Sequence, residues 1–129
     1  MEFHAIKRML ACGLVAGTAF ASSAAAHHGW DWAEADQMEL TGTIQEVYIG
    51  QPHPSLRVET EEDGIWTVEL ANPRQTENAG FVEGSAEAGD KVVALGNRSQ
   101  NPDEKRMKAV RITIDGRNFD LYPNRIQSR

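Results

Sequence analysis

The chain has 129 residues, about the length of one domain. Its 13 Lys+Arg and 19 Asp+Glu give a formal net charge of −6, which argues against a nucleic-acid-binding protein because phosphate contacts need a surplus of basic residues. A hydrophobic content of 40% argues against a disordered acidic tail, and a single cysteine, Cys12, excludes an internal disulfide framework or a cysteine-based zinc site.

Residues 1–26 have the pattern of an export signal. Lys7 and Arg8 form a short positive region, an uncharged run of 13 residues follows, and small residues come last. That run is shorter than the ~20 residues of a membrane-spanning helix, so we expect no membrane span. The pattern predicts a periplasmic or secreted protein, with cleavage after either Ala25 or Ala26.

Cleavage would change the set of metal ligands that the chain offers. Removing residues 1–26 takes away two bases and one acid, which leaves 103 residues with 11 basic and 18 acidic side chains, a net charge of −7 and no cysteine. Any metal ligand would then be a histidine, a carboxylate or the new amino terminus.

The first predicted strand begins at Leu40, after an N-terminal arm of residues 27–37. Apolar and polar residues alternate over 40–44, and the phase then slips so that Val47 and Ile49 follow. A glycine inside the strand together with this slip indicates a bulge or a sharp curl, as a small barrel requires.

A hairpin and a short helix come next. Residues 56–59 form the second strand, Asp63-Gly64 is the usual hairpin dipeptide, and the third strand returns with three apolar side chains on one face, Trp66, Val68 and Leu70. Residues 73–80 predict the helix, because Pro73 suits a first helical turn and Gly80 suits a C-terminal stop.

The last part of the chain predicts two more strands and a closing hairpin. Residues 91–96 form the fourth strand, and residues 107–114 form the fifth, with three residues expected to face inward, Val110, Ile112 and Ile114. Asp115-Gly116 predicts a turn after which residues 119–121 pair back.

Closely spaced short strands with one helix between the third and fourth predict a mainly β fold, a small five-stranded barrel of the oligonucleotide/oligosaccharide-binding type (OB-like). We expect this barrel domain to occupy residues 38–123, followed by a flexible tail of residues 124–129.

Several short motifs occur in a familiar order along the mature chain. They are Ala26-His27-His28-Gly29-Trp30, Leu40-Thr41-Gly42-Thr43-Ile44, Gln51-Pro52-His53, Trp66-Thr67-Val68-Glu69-Leu70, Ala88-Gly89-Asp90-Lys91-Val92 and Met107-Lys108-Ala109-Val110-Arg111. In this order the chain resembles the small exported bacterial family catalogued as domain of unknown function 6152. The resemblance implies periplasmic export, a small β-barrel-like fold and a pair of histidines just after the signal, and it implies no reaction.

Three histidines remain after cleavage, His27, His28 and His53, and they are the candidate metal ligands. If cleavage follows Ala26, the amine and ring nitrogen of His27 can chelate one metal ion, and His28 or His53 can supply a third nitrogen. Tetragonal nitrogen ligation suits Cu(II), which leads the divalent affinity order. This arrangement resembles the histidine brace of copper chaperones and copper oxygenases.

Cleavage after Ala25 gives a different copper-capable terminus. In that register His28 is the third residue, so the amine, two backbone amides and the imidazole can surround Cu(II) or Ni(II) in a plane. The competing interpretation of His27 and His28 is that they are exposed polar residues on an arm. For His53 it is a turn histidine beside Pro52 and Pro54.

Neighbouring side chains have alternative interpretations. Trp30 and Trp32 either pin the arm to the barrel, or offer a face to an apolar or sugar ligand, or cover a bound metal as a lid. The large area of tryptophan favours pinning. Asp31 and Glu34 are either partners of a metal site or solvated carboxylates.

The sequence therefore supports two functional hypotheses. The first is a periplasmic copper-binding protein, for handling or sensing, whose expected partners are Cu(II) or Cu(I) and a periplasmic protein. The second is a metal-free OB-like module that binds a small molecule, a glycan or a protein. Phosphate-loop, nucleophile-elbow and His-Glu-x-x-His motifs are absent, so the sequence gives no positive indication of an enzyme.

Overall fold

The computed structural model of the protein describes residues 29–128. Within this range the chain forms six strands, one α-helix and one 3₁₀ helix. In chain order these are β1 (Met38–Tyr48), β2 (Ser55–Thr60), β3 (Gly64–Glu69), α1 (Pro73–Asn78), β4 (Lys91–Arg98), β5 (Arg106–Ile114), β6 (Arg117–Asp120) and the 3₁₀ helix Pro123–Arg125.

The strands close into a barrel. Antiparallel pairing gives the order β3-β2-β1-β4-β5, and a parallel pairing of β3 with β5 completes the ring of five strands. β6 is added to the outer edge of β5 as a hairpin. The predicted five-stranded barrel with a short helix between the third and fourth strands is confirmed, and closure leaves few unpaired strand edges.

β1 pairs with β4 through its first half and with β2 through its second half because the strand curls. Its residues 38–43 pair with β4, its residues 43–48 pair with β2, and the register with β2 shifts between Ile44 and Glu46. Gly42 lies at the curl, where a Cβ atom would be 2.4 Å from the carbonyl oxygen of Glu59. A bulge and a glycine thus bend this strand, as predicted.

The core occupies the interior of the barrel. Trp66, Val68 and Leu70 are each at most 1% exposed, as the alternation in β3 predicts. They belong to a cluster that also draws on the other strands and on the segment after the helix: Leu40, Ile44, Leu56, Val58, Phe81, Val92, Ala94, Met107, Ala109, Ile112, Ile114, Phe119 and Leu121.

The expected inward position of Val110 is wrong. Leu95 pairs with Arg111 and Gly96 pairs with Ala109, so the register passes over Val110 and the inward phase of β5 shifts there. Val110 is buried but lies outside the core cluster, and its carbonyl accepts the N–H groups of Leu121 and Tyr122 at 2.9 and 3.1 Å. A bulge moves the side chains on its two sides onto opposite phases.

The helix is short and capped at its beginning. The side chain of Asn72 accepts the N–H of Gln75 at 2.8 Å, and Pro73 occupies the first turn, where no intrahelical N–H bond is needed. The helix ends at Asn78, two residues before the predicted stop at Gly80. Buried Thr76 donates its hydroxyl to the carbonyl of Ala71 at 2.9 Å, which anchors the helix to the end of β3.

Candidate functional site

His53 lies in the loop between β1 and β2. This loop is held at both ends: the Tyr48 hydroxyl donates to the carbonyl of Gln51 at 2.6 Å, and the N–H of Leu70 donates to the carbonyl of Pro54 at 2.9 Å. Because the second bond joins the loop to the end of β3, the position of His53 is set by the barrel and not by the loop alone.

The imidazole of His53 is half-buried, and one of its nitrogens has no partner. Nδ1 is fully covered and makes no hydrogen bond among the described residues. A buried polar atom left unpaired costs about 1–3 kcal/mol, so such atoms are uncommon and call for an explanation such as a water or an ion.

The arm, described from Gly29, is attached along the outer end of β4. Ala33 forms an isolated bridge with Ser99, and the N–H of Glu34 donates to the carbonyl of Arg98 at 2.8 Å. Buried Asn97 donates its side-chain amide to the carbonyls of Glu34 and Ala35, at 2.9 and 3.2 Å. Backbone and side-chain hydrogen bonds thus fix residues 33–35 of the arm to the end of β4.

Both arm tryptophans pack against cations of the barrel. The guanidinium carbon of Arg106 is 3.7 Å from the ring centroid of Trp32, and Arg106 is in turn paired with Glu69 at 2.6 Å. Trp30 meets Tyr122 edge to face, with centroids 4.9 Å apart, and the guanidinium of Arg125 lies 4.2 Å from the Trp30 centroid. These contacts match the interpretation that the tryptophans pin the arm.

Lys108 lies beneath the start of the arm. It is 2% exposed, and its ammonium lies 5.6 Å from the ring centroid of Trp30 and 5.9 Å from that of Tyr122. Burial lowers the pKa of Lys108, Glu69 opposes this by favouring the charged form, and two nearby arginines lower the pKa further, Arg106 and Arg125. A Cβ atom on Gly29 would lie 3.7 Å from this ammonium.

Strand register brings the loop and the start of the arm to one end of the barrel, which we call the arm end. Ser55, two residues after His53, pairs with Glu69, and Glu69 pairs with Lys108. Adjacent strands are about 4.8 Å apart, so Ser55 and Lys108 are separated by about 10 Å. Gly29, at the start of the described arm, lies beside the ammonium of Lys108.

The structure describes one of the three predicted histidine ligands, His53. His27 and His28 lie outside the described residues, immediately before Gly29. Asp31 and Glu34 are exposed. Residues 29–128 contain no group of three His, Cys, Asp or Glu side chains that could hold a metal ion, so this part of the chain does not form a metal centre by itself.

A family model, Family of unknown function (DUF6152), matches residues 14–108. The chain belongs to this family. The resemblance seen in its motifs is therefore confirmed, and the DUF6152 match includes His27, His28 and His53 as well as the whole arm. No curated protein matches the chain at a significant level. None of the helices in residues 29–128 is long and apolar enough to cross a membrane.

Sequence reasoning did not identify Lys108 or the arginines of this DUF6152 chain as part of the arm end. Met107 and Ala109 belong to the core cluster, so Lys108 between them lies on the outer face of β5, where a lysine is normally solvated. The available signal was the presence of three large aromatic residues outside the predicted strands, Trp30, Trp32 and Tyr122, which need a surface to cover.

Proposed function

We propose that this protein is exported to the periplasm and binds copper there, for handling or sensing rather than turnover. Its ligands would be the free amine of the mature terminus, a ring nitrogen of His27 or His28, and the imidazole of His53. The observation that carries the proposal is the half-buried His53 ring, which has a covered nitrogen without a partner at the end of the barrel where the arm begins.

The chemistry of the donor set supports copper over other metals. An amine with one or two imidazoles gives neutral nitrogen ligands, which suit Cu(II) and its tetragonal geometry. A catalytic zinc site ordinarily has three protein side-chain ligands and an open position, and residues 29–128 supply one histidine, His53. Both cleavage registers leave the amine close to a histidine.

The firm attachment of the arm also supports the proposal. The side chain of Asn97 donates to the arm, the carbonyl of Arg98 accepts from it, and the rings of Trp30 and Trp32 pack on the barrel side, so the arm is held from Trp30 onward. The two mature termini begin two or three residues before Gly29, so metal binding would have to order only a short segment, and a small ordering cost favours binding.

The positive charges at the arm end determine how copper affinity should depend on salt. The ammonium of Lys108 and the guanidinium of Arg125 both lie on Trp30, and Glu69 is already paired with Arg106. This surrounding field repels a cation. Copper would therefore be held by coordinate bonds and not by attraction to acidic side chains. Because salt screens the repulsion, the affinity should rise slightly as the salt concentration rises.

A Cu(II) titration of the protein purified after export tests the proposal. We expect one equivalent of Cu(II) to bind with a visible d–d band. The affinities of His27→Ala, His28→Ala and His53→Ala are then compared with that of the parent in competition with a chelator. Loss of His27 or His53 should weaken binding at least about tenfold, since even outer-shell ligand partners contribute that much. Gln51→Ala, an exposed side chain in the same loop as His53, is the matched control and should bind like the parent.

Equal copper affinity of the parent, His27→Ala and His53→Ala would contradict the proposal. A mature terminus several residues after His28 would contradict it as well, because the amine would then be separated from the histidines.

A further inference from the structure

A second surface of interest is a groove beside the β2–β3 hairpin. It has a volume of about 510 Å³ and runs between the first half of β1, residues 38–43, and the end of β2 with the β2–β3 turn, residues 59–63. We call it the hairpin groove. Trp66, Lys91 and Arg98 complete its lining.

One wall of the hairpin groove is a strand edge without a partner strand. β1 pairs with β2 only from Thr43 onward, so within residues 29–128 the preceding part of β1 has a strand neighbour only on the β4 side. The N–H of Ile44 donates to the carbonyl of Asp90, and its carbonyl accepts from Gly89, both at 2.8 Å. The backbone groups of Ile44 therefore point toward β4.

The direction of the free backbone groups follows from this bond. Successive residues of a strand direct their N–H and C=O groups to opposite edges. Since Ile44 faces β4, Thr43 faces β2, and Glu39 and Thr41 direct their backbone groups into the hairpin groove. Both residues are exposed. Such an edge is a template for an added strand.

The charges around the groove indicate that a strand added to this edge would be basic. Five carboxylates line it, against two basic side chains, and the carboxylates are Glu39, Glu59, Glu61, Glu62 and Asp63. Asp63 is paired with Lys105 at 3.5 Å and accepts the indole N–H of Trp66 at 3.0 Å. Within residues 29–128, Glu39, Glu61 and Glu62 have no ion pair. The basic residues are engaged: Lys91 donates to Thr43, and Arg98 lies over Trp66.

We propose that the hairpin groove binds an extended basic segment of a partner protein, which adds to the edge of β1 at Glu39 and Thr41. The wall of residues 38–43 is about 20 Å long at ~3.4 Å per residue, so it accepts about six residues of extended peptide. Alternate side chains of that peptide would meet the carboxylates and, on the other side, the apolar Met38 and Leu40. The segment therefore alternates Lys or Arg with apolar residues.

Charge distinguishes this occupant from a second copy of the same chain. Pairing two copies through the same edge would bring two acidic groove rims together on chains that each carry a net charge of −6. Like charges placed directly opposite each other destabilise a strand pair, whereas opposite charges stabilise it.

A labelled peptide tests the proposal. The probe is an alternating Lys-Val peptide of about seven residues, compared with a Glu-Val peptide and with a Lys-Val peptide whose alternate backbone nitrogens are methylated. Methylation keeps every side chain and removes the donors that would pair with Glu39 and Thr41. We expect the Lys-Val peptide to bind, the Glu-Val peptide not to bind, and methylation to weaken binding about tenfold or more.

Protein variants separate charge from fold. Glu61→Gln with Glu62→Gln, at the exposed hairpin turn, should weaken binding about fivefold and reduce its salt dependence. The matched control, Glu77→Gln with Glu83→Gln, removes two exposed carboxylates elsewhere and should leave binding unchanged. Amide NMR shifts caused by the peptide should centre on Glu39 and Thr41.

Three results would overturn the proposal: no binding of the Lys-Val peptide, equal binding of the methylated peptide, or amide shifts that avoid residues 38–43. Self-association of the chain through the same amides would also overturn it, because the occupant would then be a second copy.

Discussion

The arm end and the hairpin groove belong to the same barrel but carry side chains of opposite charge. At the arm end, the cationic groups of Lys108, Arg106 and Arg125 pack against two tryptophans. At the hairpin groove, five carboxylates surround an open edge of β1. The net charge of −6 conceals this separation. A cation at the arm end has to be held by coordination, whereas a cation at the hairpin groove can be held by the field of the carboxylates.

The largest expected effect comes from adding one methyl group beneath the arm end. A Cβ atom on Gly96 would lie 2.2 Å from the carbonyl oxygen of Lys108 and 2.8 Å from the Cα atom of Ala109. Because both neighbours are backbone atoms of β5, Gly96→Ala should lower the free energy of unfolding by about 3 kcal/mol. Urea denaturation measures this. Val82→Ala, at a side chain that is 46% exposed, is the control with little expected change. Equal stability of Gly96→Ala and the parent would show that β4 and β5 are not packed this closely.

Trp32→Ala should have the next largest effect and should act on the arm end alone. It removes the ring that stacks on Arg106 at 3.7 Å but leaves the hydrogen bonds between Gln100 and the arm. We expect a loss of about 2 kcal/mol of unfolding free energy, less than for a fully buried tryptophan. Hydrogen exchange of the arm amides should speed up while that of Leu40 and Gly42, whose backbone groups face β4, stays the same. Faster exchange at both places would show that the two regions are coupled.

Lys108→Met should change how stability depends on pH. Because burial lowers the folded-state pKa of Lys108 below its ordinary 10.5, the unfolded chain keeps this proton longer as the pH rises. The unfolding free energy of the parent therefore gains a contribution that increases with pH between the lowered pKa and 10.5, and Lys108→Met lacks it. At neutral pH the variant should be at least as stable as the parent, since no buried charge remains.

Urea denaturation at a series of pH values up to about pH 9.5 checks this expectation. Higher pH is avoided because burial raises the pKa of Tyr122 above 10.0, and this shift acts in the opposite direction: stability falls once the unfolded tyrosine ionises. Lys108→Arg keeps a charge and is the matched control. Parallel pH profiles for the parent and Lys108→Met would contradict burial of the ammonium.

The barrel was predictable because its signals are local. Alternation in β3, the hairpin dipeptide Asp63-Gly64 and the phase slip after Gly42 each depend on neighbouring residues, and together they account for the β3-β2-β1 part of the sheet. The inward phase of β5 was only partly predictable. The bulge that displaces Val110 depends on the close contact of Gly96 with Lys108, and residues 96 and 108 are joined only by the fold.

The candidate sites were less predictable, for a physical reason. The stacking of Trp32 on Arg106 and of Trp30 on Arg125 joins distant parts of the chain without any periodic pattern. His53 was identified as a candidate by residue type, but its covered nitrogen becomes evident only when the loop is seen against β3. The open edge of β1 is likewise a property of the register and not of the residues in it.

The role of the terminal amine is the most direct test of the copper proposal. Protein beginning at His27, and protein beginning at Ala26, should each bind one Cu(II) with a nitrogen-rich electron paramagnetic resonance spectrum. Acetylation of the amine, with every histidine retained, should weaken that binding at least about tenfold. Acetylated protein that binds Cu(II) as tightly as the free amine, with an unchanged spectrum, would show that the terminus is not a ligand.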